Sequence, residues 1–279
     1  MPQRFIQNVP GFQGVANNGN GVLVLPPALR YHEINVFVTI AGVLANPVLA
    51  ASNLKLKVGG LTVRDMSPDQ AIRLARLYKL TPGVGQIPLY FSEPWLADPR
   101  TRELFSWDMN GQQKFTLEMT FINPVAGAVG IQNTMAVVDT IRNAAPDAKG
   151  VLRPFLRIVK AKNETFVFAG ASRLGNTTLD KSLPIRRLLV DSSTGVGSLT
   201  DVEVIADSFS LWNQILIGQL VNIFNAYGID GTVFAMPLVF DFEGLARSKL
   251  IAAALEVKLT ANAALTATFL NMQEAQAFV

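Results

Sequence analysis

The chain runs twice through one order of elements, and this repetition limits what it can fold into. In the first half, β-patterned stretches lead to a helix, then to Ile87-Pro88-Leu89-Tyr90-Phe91-Ser92-Glu93, then to a strand carrying Leu117-Glu118-Met119. In the second half, β-patterned stretches and a helix lead to Met236-Pro237-Leu238-Val239-Phe240-Asp241-Phe242-Glu243 and a strand carrying Leu255-Glu256-Val257. Pro88 and Leu117 are 29 positions apart, whereas Pro237 and Leu255 are 18 apart. A shared order with unequal loops predicts a duplicated β domain, with one helix inserted between strands of each copy.

Local patterns support the β reading. Ile34, Val36 and Val38 alternate in strand fashion, as do Leu54, Leu56 and Val58. Gly59-Gly60 has the composition of a two-residue hairpin turn into Leu61-Thr62-Val63. Ser67-Pro68-Asp69-Gln70 reads as a helix start, with Ser67 as cap, Pro68 at the first helical position and Gln70 closing a capping box. Further strands are expected at Ile87–Phe91, Lys114–Phe121, Phe155–Val159, Thr165–Phe168, Pro184–Val190, Asp201–Ala206, Val233–Phe242, Ile251–Thr260 and Leu265–Asn271. Met135–Ile141 reads as a strand or a connector, and Val125–Asn133 as a loop. Ser208–Tyr227 reads as one helix, with Trp212, Leu216, Leu220, Ile223, Phe224 and Tyr227 on its apolar stripe. The polar turn cluster from Arg142 to Gly150 divides the halves. The expected layout is an irregular arm at 1–20, a first β domain at 21–145 and a second at 146–279.

Composition narrows function by exclusion. A chain of 279 residues with 49% apolar content can bury two cores. Charged residues are only 16%, against about 25% in a typical soluble domain, which fits a surface covered by partners. The net charge of +3 is too mild to imply specific nucleic-acid binding. No cysteine is present, so disulfides, thiolate metal sites and cysteine nucleophiles are excluded. His32 is the only histidine, and no Gly-x-Ser-x-Gly elbow accompanies it. It reads as a structural or interfacial histidine. Gly195-Val196-Gly197-Ser198-Leu199-Thr200 lacks the helix that a phosphate loop needs. No apolar stretch reaches 18 residues, and a soluble chain without catalytic residue, metal or cofactor is expected. In the arm, Arg4, Phe5, Ile6 and Phe12 are candidates to dock on a neighbour or touch a lipid surface.

Several of these stretches resemble the double jelly-roll major capsid proteins of tailless, membrane-containing bacteriophages, closest to the corticovirus type and more distantly the tectivirus type. The resemblance is carried by Leu25-Pro26 with Tyr31-His32-Glu33-Ile34, by Leu54–Gly60, by the helix at Ser67–Tyr78, and by Ile87–Phe91 with Glu93-Pro94-Trp95. It continues through Val233–Phe242 and the closing strands from Ile251. It implies an all-β fold of two tandem eight-stranded jelly rolls. It also implies homotrimers that contact neighbouring trimers, penton and minor capsid or membrane proteins, and an internal membrane. The product would be a virion capsid assembled in the host cytoplasm. Trp212, Gln214, Asn222 and Asn225 are then the candidate trimer interface. The rival reading is a lectin-like β-sandwich, with Trp95 and Asp98 or Trp107 and Asp108 as the sugar site; a β-sandwich glycoside hydrolase is a further alternative.

Overall fold

The computed structural model describes residues 4–96, 98, 102–109, 114–146, 149–193, 198–240 and 249–278, with residues 145, 146, 152–156 and 276–278 as backbone only. Its described residues fall into two compact units. The first draws on 1–75, 81–159 and 275–279, and the second on 76–80 and 160–274.

The strands of the first unit are β1 (Phe5–Asn8), β2 (Asn20–Val24), β3 (Arg30–Ile40), β4 (Val43–Leu44), β5 (Ala51–Val58), β6 (Leu61–Met66), β7 (Gln86–Tyr90), β8 (Trp107–Asp108), β9 (Phe115–Phe121), β10 (Val129–Asp139) and β11 (Ala144–Pro146). Helix α1 (Pro68–Leu77) lies between β6 and β7, and β12 (Leu152–Phe168) belongs to this unit as far as residue 159 and to the second beyond it. One sheet runs β1-β10-β3-β4, with β7 and β8 also on β3; the other contains β6-β5-β9-β2. All the registered pairs here are antiparallel.

These elements follow from local chemistry. Leu54 and Leu56 of β5 are buried, while the alternate Lys55 and Lys57 stay half-buried and reach Asp65 and Glu118. Val58 pairs with Leu61, so Gly59 and Gly60 form the whole turn. Their φ values of 58° and 84° are those a type I′ turn demands, which side chains with a Cβ resist. At α1, the Gln70 N–H donates to Ser67 Oγ at 3.1 Å, and the Ser67 N–H donates to Gln70 Oε1 at 2.9 Å. That is the reciprocal capping box expected from the sequence.

The two sheets meet in an aromatic core. Phe115 of β9 lies 5.2 Å from Tyr31 of β3 and 5.6 Å from Trp107 of β8, while Phe91 lies 4.5 Å from Trp107. All four rings are essentially inaccessible, and each contributes about 1.5–3 kcal/mol of burial. Arg64 of β6 enters this core. Its guanidinium lies 5.1 Å above the rings of both Phe91 and Trp107, and it donates to the Val159 and Tyr90 carbonyls at 2.9 and 2.6 Å. A buried guanidinium is tolerable because carbonyls satisfy its donors and ring faces offset its charge.

The second unit contains β13 (Ser172–Asn176), β14 (Ile185–Ser192), β15 (Leu199–Ala206), β16 (Phe209–Leu216), β17 (Met236–Val239), β18 (Leu255–Ala261) and β19 (Leu265–Phe278), with helix α2 (Ile217–Ala226) between β16 and β17. One layer is β17-β14-β19 and the other is β13-β18-β15-β16. Val202, Val204, Val257 and Leu259 alternate into the core, which also buries Leu188, Val190, Phe234 and Phe269. The duplication is visible in the edges. Each helix is followed by a short strand bearing a proline, Pro88 in β7 against β3 and Pro237 in β17 against β14. Proline lacks the donor that an interior strand needs, so both strands sit at the side of their sheet.

Four expectations are corrected. Ser208–Tyr227 is not one helix: Asp207 and Ser208, at φ 49° and 67°, make a hairpin turn, so Phe209–Leu216 pairs with β15 and only Ile217–Ala226 is helical. Only Leu220 and Phe224 of the expected stripe are buried on that helix; Leu216, Ile223 and Tyr227 are exposed. The stretch Val125–Asn133 is not all loop, because β10 begins at Val129 and bonds the long β3. The arm is not irregular throughout, since Phe5–Asn8 pairs with β10. The strand expected to reach Phe242 is described only through Phe240, and residues 194–197 and 241–248 lie outside the described residues.

Candidate assembly surfaces and a buried charge cluster

The chemistry-bearing residues fall into two kinds of place, a sealed cluster in the first unit and exposed apolar elements in each unit. The cluster is built on β3 and β10. Arg30 donates from Nε and Nη2 to the two oxygens of Asp139 at 2.9 and 2.6 Å. It also reaches Asn143 Oδ1 at 3.1 Å and Glu103 Oε2 at 3.1 Å. His32 Nε2 lies 2.8 Å from Asp139 Oδ2, and the Ile141 N–H donates to Asp139 Oδ1 at 2.9 Å. The Asn143 N–H donates to Asp108 Oδ2 at 2.6 Å. Burial pushes the Asp139 carboxyl up, but the bonds from Arg30, His32 and Ile141 outweigh it and hold the group below the usual carboxylate range. Burial pushes His32 down, partly countered by its bond to Asp139, so its imidazole is neutral at neutral pH.

This constellation contains a His–Asp pair but is not a hydrolytic triad. A triad requires a nucleophile on the second ring nitrogen. His32 Nδ1 is buried with no hydrogen-bond partner among the described residues, and Ser92 Oγ donates instead to the His32 carbonyl at 3.2 Å. The cluster is therefore a staple between strands and loops. Glu103 and Asp108 look like scattered acids in the sequence. Asp139, which holds the cluster together, carries no sequence signal, because its partners are 107 and 109 positions away.

The arm residues extend outward from this cluster. Arg4 bonds Glu103 at 2.7 Å, and so joins the network through its far oxygen. Phe5 and Ile6 are exposed at 40% and 70%. Phe12 is half-buried and lies over Gly21, where a Cβ would come within 3.2 Å of its ring.

In the second unit several exposed apolar side chains lie on or beside β16 and α2. Phe209, Leu211, Leu216, Ile223 and Tyr227 are all exposed, from 42% to 69%. β16 ends its sheet, and its outer edge is irregular. Val204 faces Trp212 while Val202 faces Ile215, so β16 holds an extra residue there, and Gln214 takes φ 48°. Bulges of this kind twist an edge away from unplanned strand pairing. Of the four predicted interface residues, Gln214, Asn222 and Asn225 are exposed. Trp212 is half-buried, 5.2 Å from the Phe240 ring and 6.3 Å from Phe224, where it anchors β16. The sugar-site pairing of Trp107 with Asp108 is overturned, since they are 0% and 4% exposed inside the sandwich. Trp95 packs edge-on against Tyr90 at 5.8 Å.

Residues 6–137 match the family model for the viral coat protein P2 N-terminal domain. That match includes Arg30, His32 and Glu103 of the staple and ends two residues before Asp139. The full-length fold is matched by the crystal structure of the major capsid protein P2 from bacteriophage PM2, with TM-score 0.78 and 14% identity over 98% of each chain. The chain has the double jelly-roll fold, and its residues 6–137 resemble a viral coat protein domain. The chain is also similar in fold to the atomic structure of Sulfolobus Turreted Icosahedral Virus, with TM-score 0.69 and 14% identity over 98% of this chain and 91% of the other. It is likewise similar to the PBCV-1 capsid protein, with TM-score 0.66 and 10% identity over 99% and 94% of the two chains. No curated protein sequence matches the chain.

Proposed function

We propose that this chain is a viral major capsid protein that forms homotrimers with a pseudo-hexagonal outline, six jelly-roll lobes in all, and that these tile an icosahedral shell over an internal membrane. The trimers would contact neighbouring trimers and, at special positions, penton and minor capsid or membrane proteins. Assembly would take place in the host cytoplasm, with no specific nucleic-acid contact. The observation that carries this reading is the apolar run on β16 and α2. Large apolar side chains exposed along adjoining elements suit an interaction surface, and obligate interfaces of about 2,000–5,000 Å² are more apolar than transient ones. Gln214, Asn222 and Asn225 would form its polar rim, with Trp212 as the rigid support beneath. Phe5 and Ile6, with Arg4 beside them and Phe12 behind, would face a neighbour or the membrane surface.

Negative-stain imaging of the purified protein tests the proposal. Threefold particles with a six-lobed outline are expected. Particles of two lobes only would overturn it.

A further inference from the structure

We propose that β1 is an exchangeable strap that docks on the β10 edge of a second copy of this chain when coat subunits pack together. The inference deepens the assembly reading above and rests on it.

Four observations support it. First, β1 is short and lightly held: four residues pair with β10, in the register Phe5 to Val138, Ile6 to Val137, Gln7 to Ala136 and Asn8 to Met135. Second, it buries little, because Phe5, Ile6 and Asn8 are exposed and Val9 alone, just past it, is buried. Its specific anchor is charge complementarity between Arg4 and Glu103, an ion pair a third exposed on both sides. Third, a hinge follows. A Cβ at Gly11 would meet nothing within 4 Å; Gly11 lies between the Val9 N–H, which bonds the Thr134 carbonyl at 3.0 Å, and Phe12, packed over Gly21, with Gln13 then exchanging two backbone bonds with Val22. Fourth, the acceptor edge extends beyond the strap. A cleft of about 460 Å³, lined by Asn8, Val9, Phe12, Ile131, Asn133 and Thr134, lies alongside β10 where β1 has ended.

A second copy is the occupant that these facts select. It presents the same β10 edge, the same register and the same Glu103, so every bond lost in one copy is regained in the other. The exchange changes few contacts, and the crowding of an assembly raises the effective concentration of the neighbouring edge. Residues 4–10 extended at about 3.3–3.6 Å each reach about 25 Å from Gly11, which sets how near that edge must lie.

The chain has no cysteine, so introduced thiols report without background. Ile6 and Val137 are direct partners across the pair and sit within disulfide reach. Full-length Ile6→Cys and Val137→Cys proteins are mixed, assembled and oxidised, with the mass of the same sample read by light scattering. The double variant serves as the control for pairing within one chain. The expected result is a covalent species of about 60 kDa, two chains of 30.2 kDa, formed only in the mixture of single variants and only when assembled. An assembled sample with no such species, while the double variant links within its own chain, overturns strap exchange and leaves the assembly reading standing. A sample that stays monomeric overturns both. A double variant that fails to link at all overturns the proposal, because β1 would then not occupy that edge.

Discussion

Arg30 grips Asp139 with two parallel hydrogen bonds, at 2.9 and 2.6 Å, where the residues are only 5% and 1% exposed. The pair fastens the start of β3 to the end of β10, 109 positions later in the chain. Paired at both oxygens, the carboxylate is tolerable in a dry site; left without Arg30, it is not. The same pair carries the loop at Glu103 and, through Arg4, the N-terminal strand.

Breaking this pair is therefore expected to cost far more than a surface ion pair. Arg30→Ala should destabilise the protein by about 3–5 kcal/mol. The double variant Arg30→Met, Asp139→Leu should recover most of that loss, because it removes both charges and keeps the volume. Denaturant unfolding of the three proteins checks this.

Acid should loosen the same region, with a sign set by His32. Burial holds its folded pKa below the ordinary imidazole value, so the unfolded chain takes up that proton first. Stability from neutral His32 is then complete above pH ~6.5 and declines below it. Asp139, held low, adds a second loss as pH falls through its folded value, below the ordinary ~3.9. Glu33 runs the other way, because burial raises its pKa despite a bond from Asn35, and it gains from protonation. The clean readout is the difference between wild type and His32→Gln. The two melting curves should converge at pH 5 and separate at pH 8.

Arg64 should resist replacement by lysine. Its planar guanidinium bridges two carbonyls while lying against two rings, a geometry that a single ammonium cannot reproduce. Arg64→Lys is expected to cost about 1.5–3 kcal/mol, seen as a lower denaturation midpoint with an unchanged slope.

Surface and core should separate on β16. Phe209→Ser and Leu211→Ser alter exposed side chains, so stability should move by less than about 0.5 kcal/mol. Oligomer mass should fall in the same variants. Trp212→Ala should instead cost about 3–5 kcal/mol, because it removes the ring packed on Phe240.

Much of the fold was legible because it is written locally. The Gly59-Gly60 turn, the box between Ser67 and Gln70, and the repeated proline strands each depend on residues a few positions apart. The β16 hairpin was not legible. Its turn residues, Asp207 and Ser208, are ordinary at positive φ only once β15 and β16 pair, and the segment beyond also satisfies a helical stripe. Tertiary pairing with β15 decided between two periodicities. The charge staple was invisible for a related reason, since Arg30, His32, Glu103 and Asp139 meet only after the sheet has formed.

The trimeric capsid subunit proposed for this chain has a mass that sets it apart from the free protein. Size exclusion with light scattering on the purified full-length chain tests it most directly. The account predicts a dilution-resistant species of about 91 kDa, three chains of 30.2 kDa each. A monomer of 30.2 kDa at every concentration would contradict it.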